Sequence, residues 1–129
     1  FWEDTITAMP DNWAVLNNLA DALINEAPEK ALEYAERAYK LNPSSLLVGL
    51  TLANALLANS RESHRAENLA SAATNRFPDN IAAGILLAKA QFQNGDPGKA
   101  RNTLKDLRGK KLTPDQTENI DTLLQKFTR

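Results

Sequence analysis

The chain has 129 residues, with 15 Lys and Arg against 16 Asp and Glu for a formal net charge of −1. That length suits one domain or a short repeat array, and the balanced charge gives no strong case for nucleic acid or an anionic membrane as a partner. Cysteine is absent, which excludes disulfides, thiolate catalysis and Cys-ligated metals, and leaves the compartment open between the cytoplasm and the periplasm or cell envelope.

Residues 1–9 precede a Pro10-Asp11-Asn12 turn, at the place where the second helix of an earlier repeat should end. Because Phe1 is not an initiator Met, the expectation is a chain that begins inside a repeat of a larger parent protein. The first helix is predicted near 12–26, with Leu16, Leu19, Ala20 and Leu23 on one face at three- and four-residue steps. Ala27-Pro28 interrupts it, and a second helix near 28–41 aligns Ala31, Ala35, Ala38 and Leu41. After Asn42-Pro43-Ser44-Ser45 comes a helix near 45–59. Its apolar run Leu46 to Ala58 is 13 residues long and holds Thr51 and Asn54, short of the roughly 20 residues that span a bilayer, so it reads as buried.

Ser60 breaks that helix, and the next is predicted near 62–76 up to the Pro78-Asp79-Asn80 turn. Helices near 80–94 and 98–108 flank Gly95-Asp96-Pro97. Thr113-Pro114-Asp115-Gln116 then has the form of a capping box with Pro at the first helical position. It opens a helix near 114–127 with Ile120, Leu123, Leu124 and Phe127 on one stripe, the form of a C-terminal capping helix. No strand pattern competes, so the fold class is all-α.

The chain repeats itself. Pro10-Asp11-Asn12 and Pro78-Asp79-Asn80 stand 68 positions apart with Asn42-Pro43 nearly midway, a period of about 34. Leu19-Ala20, Leu52-Ala53 and Leu87-Ala88 follow at steps of 33 and 35, and Ala31, Ala66 and Ala100 at 35 and 34. The organisation read from these markers is the end of a preceding repeat at 1–9, repeats at 10–43, 44–78 and 79–108, and a cap at 109–129.

Over about residues 10–108 these markers resemble the tetratricopeptide repeat, a helix-turn-helix unit of about 34 residues. The first-helix Leu-Ala pair, the Ala opening the second helix and the Pro ending each unit carry the resemblance. The sequence departs from the family at its early Trp, here Leu16, Gly49 and Gly84, and at its first-helix Tyr, here Leu23, Leu56 and Gln91. The second-helix small residue is Ala38 and Ala73 but Leu107 in the third unit. The resemblance implies an α-solenoid of antiparallel helix pairs wound as a right-handed superhelix, with first helices lining a concave groove. It implies a protein or peptide partner, no cofactor and no enzymatic activity. The words Asn17-Asn18-Leu19-Ala20 and Ala31 to Ala38 are also similar to repeats of bacterial envelope and exopolysaccharide-export proteins, which implies a parent protein of that kind.

On that register the groove residues are Asn17 and Asp21 in the first unit; Leu47, Leu50, Asn54 and Leu57 in the second; and Ile85, Lys89 and Phe92 in the third. Some family members clamp a terminal carboxylate with Lys and Asn at such positions, and here only Asn54 and Lys89 match. Two readings stand for the apolar members: a trough for a partner helix or extended peptide, or core covered by neighbouring helices. A structural spacer without a groove ligand, or self-association through exposed terminal faces at Trp2, Ile6 and Trp13, are the alternatives to partner binding.

Catalytic and metal chemistry find no footing. His64, the single histidine, stands among Arg61, Glu62 and Arg65 at a helix start with no nucleophile beside it. The carboxylates are scattered, without ligand spacing. Gly95-Asp96-Pro97-Gly98-Lys99 lacks phosphate-loop spacing and follows a helix instead of a strand. Lys105, Arg108, Lys110 and Lys111 cluster at a helix C-terminus, where cations complement the dipole.

Overall fold

The Asn and Ser residues of the recurring turns work as helix starters. In the computed structural model, which describes residues 12–128, Asn12 accepts a bond from Val15 N at 3.1 Å, Ser45 from Val48 N at 3.4 Å, and Asn80 from Ala83 N at 3.0 Å. Each satisfies a first-turn donor that the helix itself cannot. They open α1 (Trp13–Leu23), α3 (Leu46–Ala58) and α5 (Ile81–Gln93). The intervening helices are α2 (Pro28–Leu41), α4 (Ser63–Arg76) and α6 (Pro97–Arg108), and α7 (Pro114–Thr128) follows. Among the described residues there is no strand, and no helix is long and apolar enough to cross a membrane.

The predicted helices are all found. The first is shorter than its predicted 12–26: residues 24–26 form a turn in which Ala27 N bonds Leu23 O at 2.8 Å, and Pro28 opens α2. The proposed N-terminal part-repeat at 1–9, with Trp2 and Ile6, lies outside the described residues.

The chain divides into two compact units that meet between Arg61 and Glu62, within the span read as the second repeat. In the first unit α1 packs along α2, α2 along α3, and α3 also touches α1. Leu16, Leu19, Leu52 and Leu56 are at most 2% exposed there, each worth about 1.5–3 kcal/mol of transfer free energy. Ala20 and Ala53 are wholly buried and leave room for these neighbours.

In the second unit α4 packs along α5, α5 along α6 and α6 along α7, and α7 touches α5. Thus α7 relates to α5 and α6 as α3 does to α1 and α2. Its stripe closes a core with Ile81, Ile85, Ala88, Ala100, Leu104 and Leu107, into which Ile120, Leu123 and Phe127 insert. The capping box forms as predicted: Thr113 N donates to Gln116 Oε1 at 2.9 Å, and Gln116 N donates to Thr113 Oγ1 at 3.2 Å. At the other end of α7, Arg101 donates to Phe127 O at 2.9 Å, satisfying a carbonyl that the helix leaves open.

The third marker pair is only partly equivalent to the others, because Ala88 is wholly buried while Leu87 is half-buried. Two family departures compensate each other. Leu107, where the first two units have Ala, lies over Gly84, and a Cβ on Gly84 would come within 2.6 Å of Leu107 Cδ2.

The turns ending α3 and α5 share one design. Ser60 N bonds Leu57 O and Arg61 N bonds Leu56 O; Gly95 N bonds Phe92 O and Asp96 N bonds Gln91 O. These are Schellman closures, with Ser60 at φ 52° and Gly95 at φ 85° in the left-handed position. The α3–α4 turn is one residue longer, and Glu62 adopts a second left-handed conformation, φ 44°, before α4 begins. The Asn that ends each helix ties it back to the start of the preceding one. Asn59 Nδ2 donates to Pro28 O at 2.8 Å, and Asn94 Nδ2 to Ser63 O at 3.2 Å and Glu67 Oε1 at 2.6 Å.

Candidate partner-binding surface

In the first unit the groove residues expected from the sequence separate by burial. Asn17 is 3% exposed, with Oδ1 lacking a hydrogen-bond partner, and Leu57 is 6% exposed. Asp21 is exposed, Leu50 and Asn54 are half-buried, and Leu47 is 57% exposed. Leu47, Leu50 and Asn54 follow at steps of three and four along α3 and therefore share one face. That helix is apolar around nearly its whole circumference, a composition expected of a helix covered on all sides. The Leu47–Leu50 strip is the part left outside the core.

In the second unit the cap changes the outcome. Ile85 is 8% exposed and belongs to the core that α7 closes. Phe92 lies against that core with its ring stacked on Phe127, the centroids 4.2 Å apart and the planes 13° from parallel. Such a contact adds about 0.5–1.5 kcal/mol beyond area burial. The trough reading therefore does not extend to Ile85 and Phe92, since α6 and α7 cover them. The sequence carried a sign of this in Phe127, the last residue of the cap's stripe, but not its target.

Lys89 remains at the margin, half-buried. Its loss of contact with water, and secondly the charge of Lys126 on α7, hold its pKa below the usual lysine value of 10.5. Between α6 and α7 an open cavity of about 490 Å³ is lined by Lys105, Leu124, Gln125 and Thr128.

The residues set aside on sequence grounds occupy structural places. His64 is exposed in the first turn of α4. Asp96 accepts from Lys99 N at 3.1 Å, so a carboxylate already occupies the start of α6 where a phosphate would sit. Of the basic cluster, Arg108 meets Asp121 at 3.2 Å and Lys110 meets Asp79 at 3.5 Å, exposed pairs of small energetic weight. Among the described residues no group of three or more His, Cys, Asp or Glu could hold a metal ion.

No curated protein matches the chain in sequence. Among solved structures it is similar to the crystal structure of yeast Tom70, with a TM-score of 0.76 and 20% identity over 98% of this chain. That likeness shows the fold, an all-α solenoid of helical repeats. The chain spans 28% of the length of that protein. The family model for the tetratricopeptide repeat matches residues 60–126, just over half of the sequence. The chain belongs to the tetratricopeptide repeat family.

Proposed function

We propose that the chain binds a helix or extended peptide of a partner protein on the first-helix face of its first unit, with Leu47 and Leu50 as apolar anchors beside Asn54 and Asp21. The observation that carries this reading is Leu47, 57% exposed on a helix whose other apolar side chains are largely covered. A leucine strip of this kind suits anchors at helical spacing in the partner, while Asn54 and the Asp21 carboxylate offer polar rim contacts. The similarity of residues 17–20 and 31–38 to repeats of bacterial envelope and export proteins supports an assembly role in that setting, periplasmic or cytoplasmic, and it rests on those sequence words alone.

A photo-crosslinking amino acid at position 47 or 50, compared with one at the exposed Glu33 of α2, tests the surface in cells. The reading expects one protein adduct specific to 47 and 50, lost when the other leucine is replaced by Asp while helical content is unchanged. Equal labelling from position 33 would refute the assigned face. A self-adduct would point to the alternative, self-association, and no adduct at any position to a structural spacer.

A further inference from the structure

Asn94-Gly95 is the only Asn-Gly pair in the sequence, and it forms the turn between α5 and α6. From the geometry of that turn we infer that Asn94 is a site of spontaneous deamidation which folding holds shut, and whose conversion unlatches α5 from α4. In an Asn-Gly pair the glycine nitrogen, unhindered by a side chain, can attack the asparagine amide carbon. A bond forms between Gly95 N and Asn94 Cγ, the Cγ–Nδ2 bond breaks, and ammonia leaves carrying the proton of the backbone nitrogen. Water then opens the cyclic imide to aspartate or isoaspartate. Water is the only co-reactant, and no electrons are exchanged.

In the folded chain each participating atom is engaged elsewhere. Gly95 N donates to Phe92 O at 3.0 Å. Asn94 Nδ2 donates to Ser63 O at 3.2 Å and to Glu67 Oε1 at 2.6 Å. With Asn94 ψ at 3° the glycine nitrogen eclipses Asn94's own nitrogen instead of approaching its side chain. Ring closure therefore needs this turn to open, and local opening is much rarer than the folded state.

Once made, the product does not fit the closed turn. An oxygen replaces Nδ2 and faces Ser63 O and the Glu67 carboxylate, so a donor between two acceptors becomes a third acceptor bearing charge. The oxygen that the side chain already has, Oδ1, is buried without a hydrogen-bond partner. In the isoaspartate form the backbone also gains a methylene, inside a turn whose two backbone hydrogen bonds fix its length. Asn59 offers an internal comparison: it holds the same place after α3, bonds Pro28 O and Ala55 O, and is followed by Ser60, whose side chain hinders ring closure.

The test follows conversion by peptide mapping with isoaspartate detection, in the native chain and in the chain unfolded in urea, at one mildly alkaline pH. The expected result is that Asn94 in urea converts faster than Asn59 in urea, and about tenfold or more faster than Asn94 in the native chain. Asn94→Asp should melt below wild type at neutral pH, the gap should narrow as pH falls through the carboxylate range, and Glu67→Gln added to it should recover most of the loss. Equal rates at Asn94 in native and urea-unfolded chains would overturn the proposal. So would an Asn94→Asp chain that melts like wild type. If Asn94→Asp does not fold, the double variant and the two rates still decide.

Discussion

Leu107 fits the second unit because Gly84 has no side chain in its way, and that gives two glycines in equivalent helices opposite mutational signs. Gly49 is the fourth residue of α3, with nothing within 4 Å of where a Cβ would stand. Gly49→Ala should therefore stabilise by about 0.5–1 kcal/mol, the ordinary helix gain. Gly84→Ala starts from the same gain but drives its methyl to 2.6 Å and 2.9 Å from the two Leu107 methyls, which are themselves buried. It should be neutral to destabilising, and urea denaturation of the two variants side by side checks the contrast. Lys89 gives a pH signature. Burial, then Lys126, lowers its folded pKa, so the charged form costs stability at neutral pH. As pH rises from that lowered value towards the unfolded value of 10.5, the unfolded chain still holds a proton the folded chain has lost, and this group's contribution to stability rises. Lys89→Met should raise the urea midpoint at neutral pH, and the advantage should shrink in alkali. An advantage independent of pH would mean that packing, not charge, is the cause.

The helix pairs could be located from sequence because their ends carry chemistry: Asn12, Ser45 and Asn80 cap, Pro28 and Pro97 start, and Gly95 closes a turn. The end of α1 was missed because Ile24-Asn25-Glu26 holds no glycine or proline, and the stop comes from the turn into Pro28. The candidate surface was less legible for a physical reason. Leu47 and Ile85 both lie on first helices, yet one is exposed and the other belongs to the core that α7 closes. Periodicity marks a face but not the neighbour that covers it. The small-residue seam was legible, and Ala53 tests it: wholly buried, it should not accept Leu without overpacking, at about 1–3 kcal/mol. A lowered melting temperature for Ala53→Leu is expected, and an unchanged one would place the seam elsewhere.

At the scale of the second unit, stability rests on α5 having α7 on the side that α6 leaves open, as expected of helical repeats that cannot bury their apolar faces alone. Ending the chain after Gly109 removes α7 and uncovers Ile85, Ala88, Phe92 and Leu104 together. The shortened chain should melt earlier and self-associate in light scattering, since so large an apolar patch is a docking or aggregation surface. A stable monomer would show that α7 is not needed to close the second unit.

The exchange of bulk between Gly84 and Leu107 also bears on how such an array can be recombined. A void on one helix is filled by a side chain from its hairpin partner, so neither helix can be traded alone: α5 set beside a second helix with Ala at that place would leave a hole. The smallest interchangeable module here is the hairpin. In a designed chimera α5 and α6 should therefore change hands together.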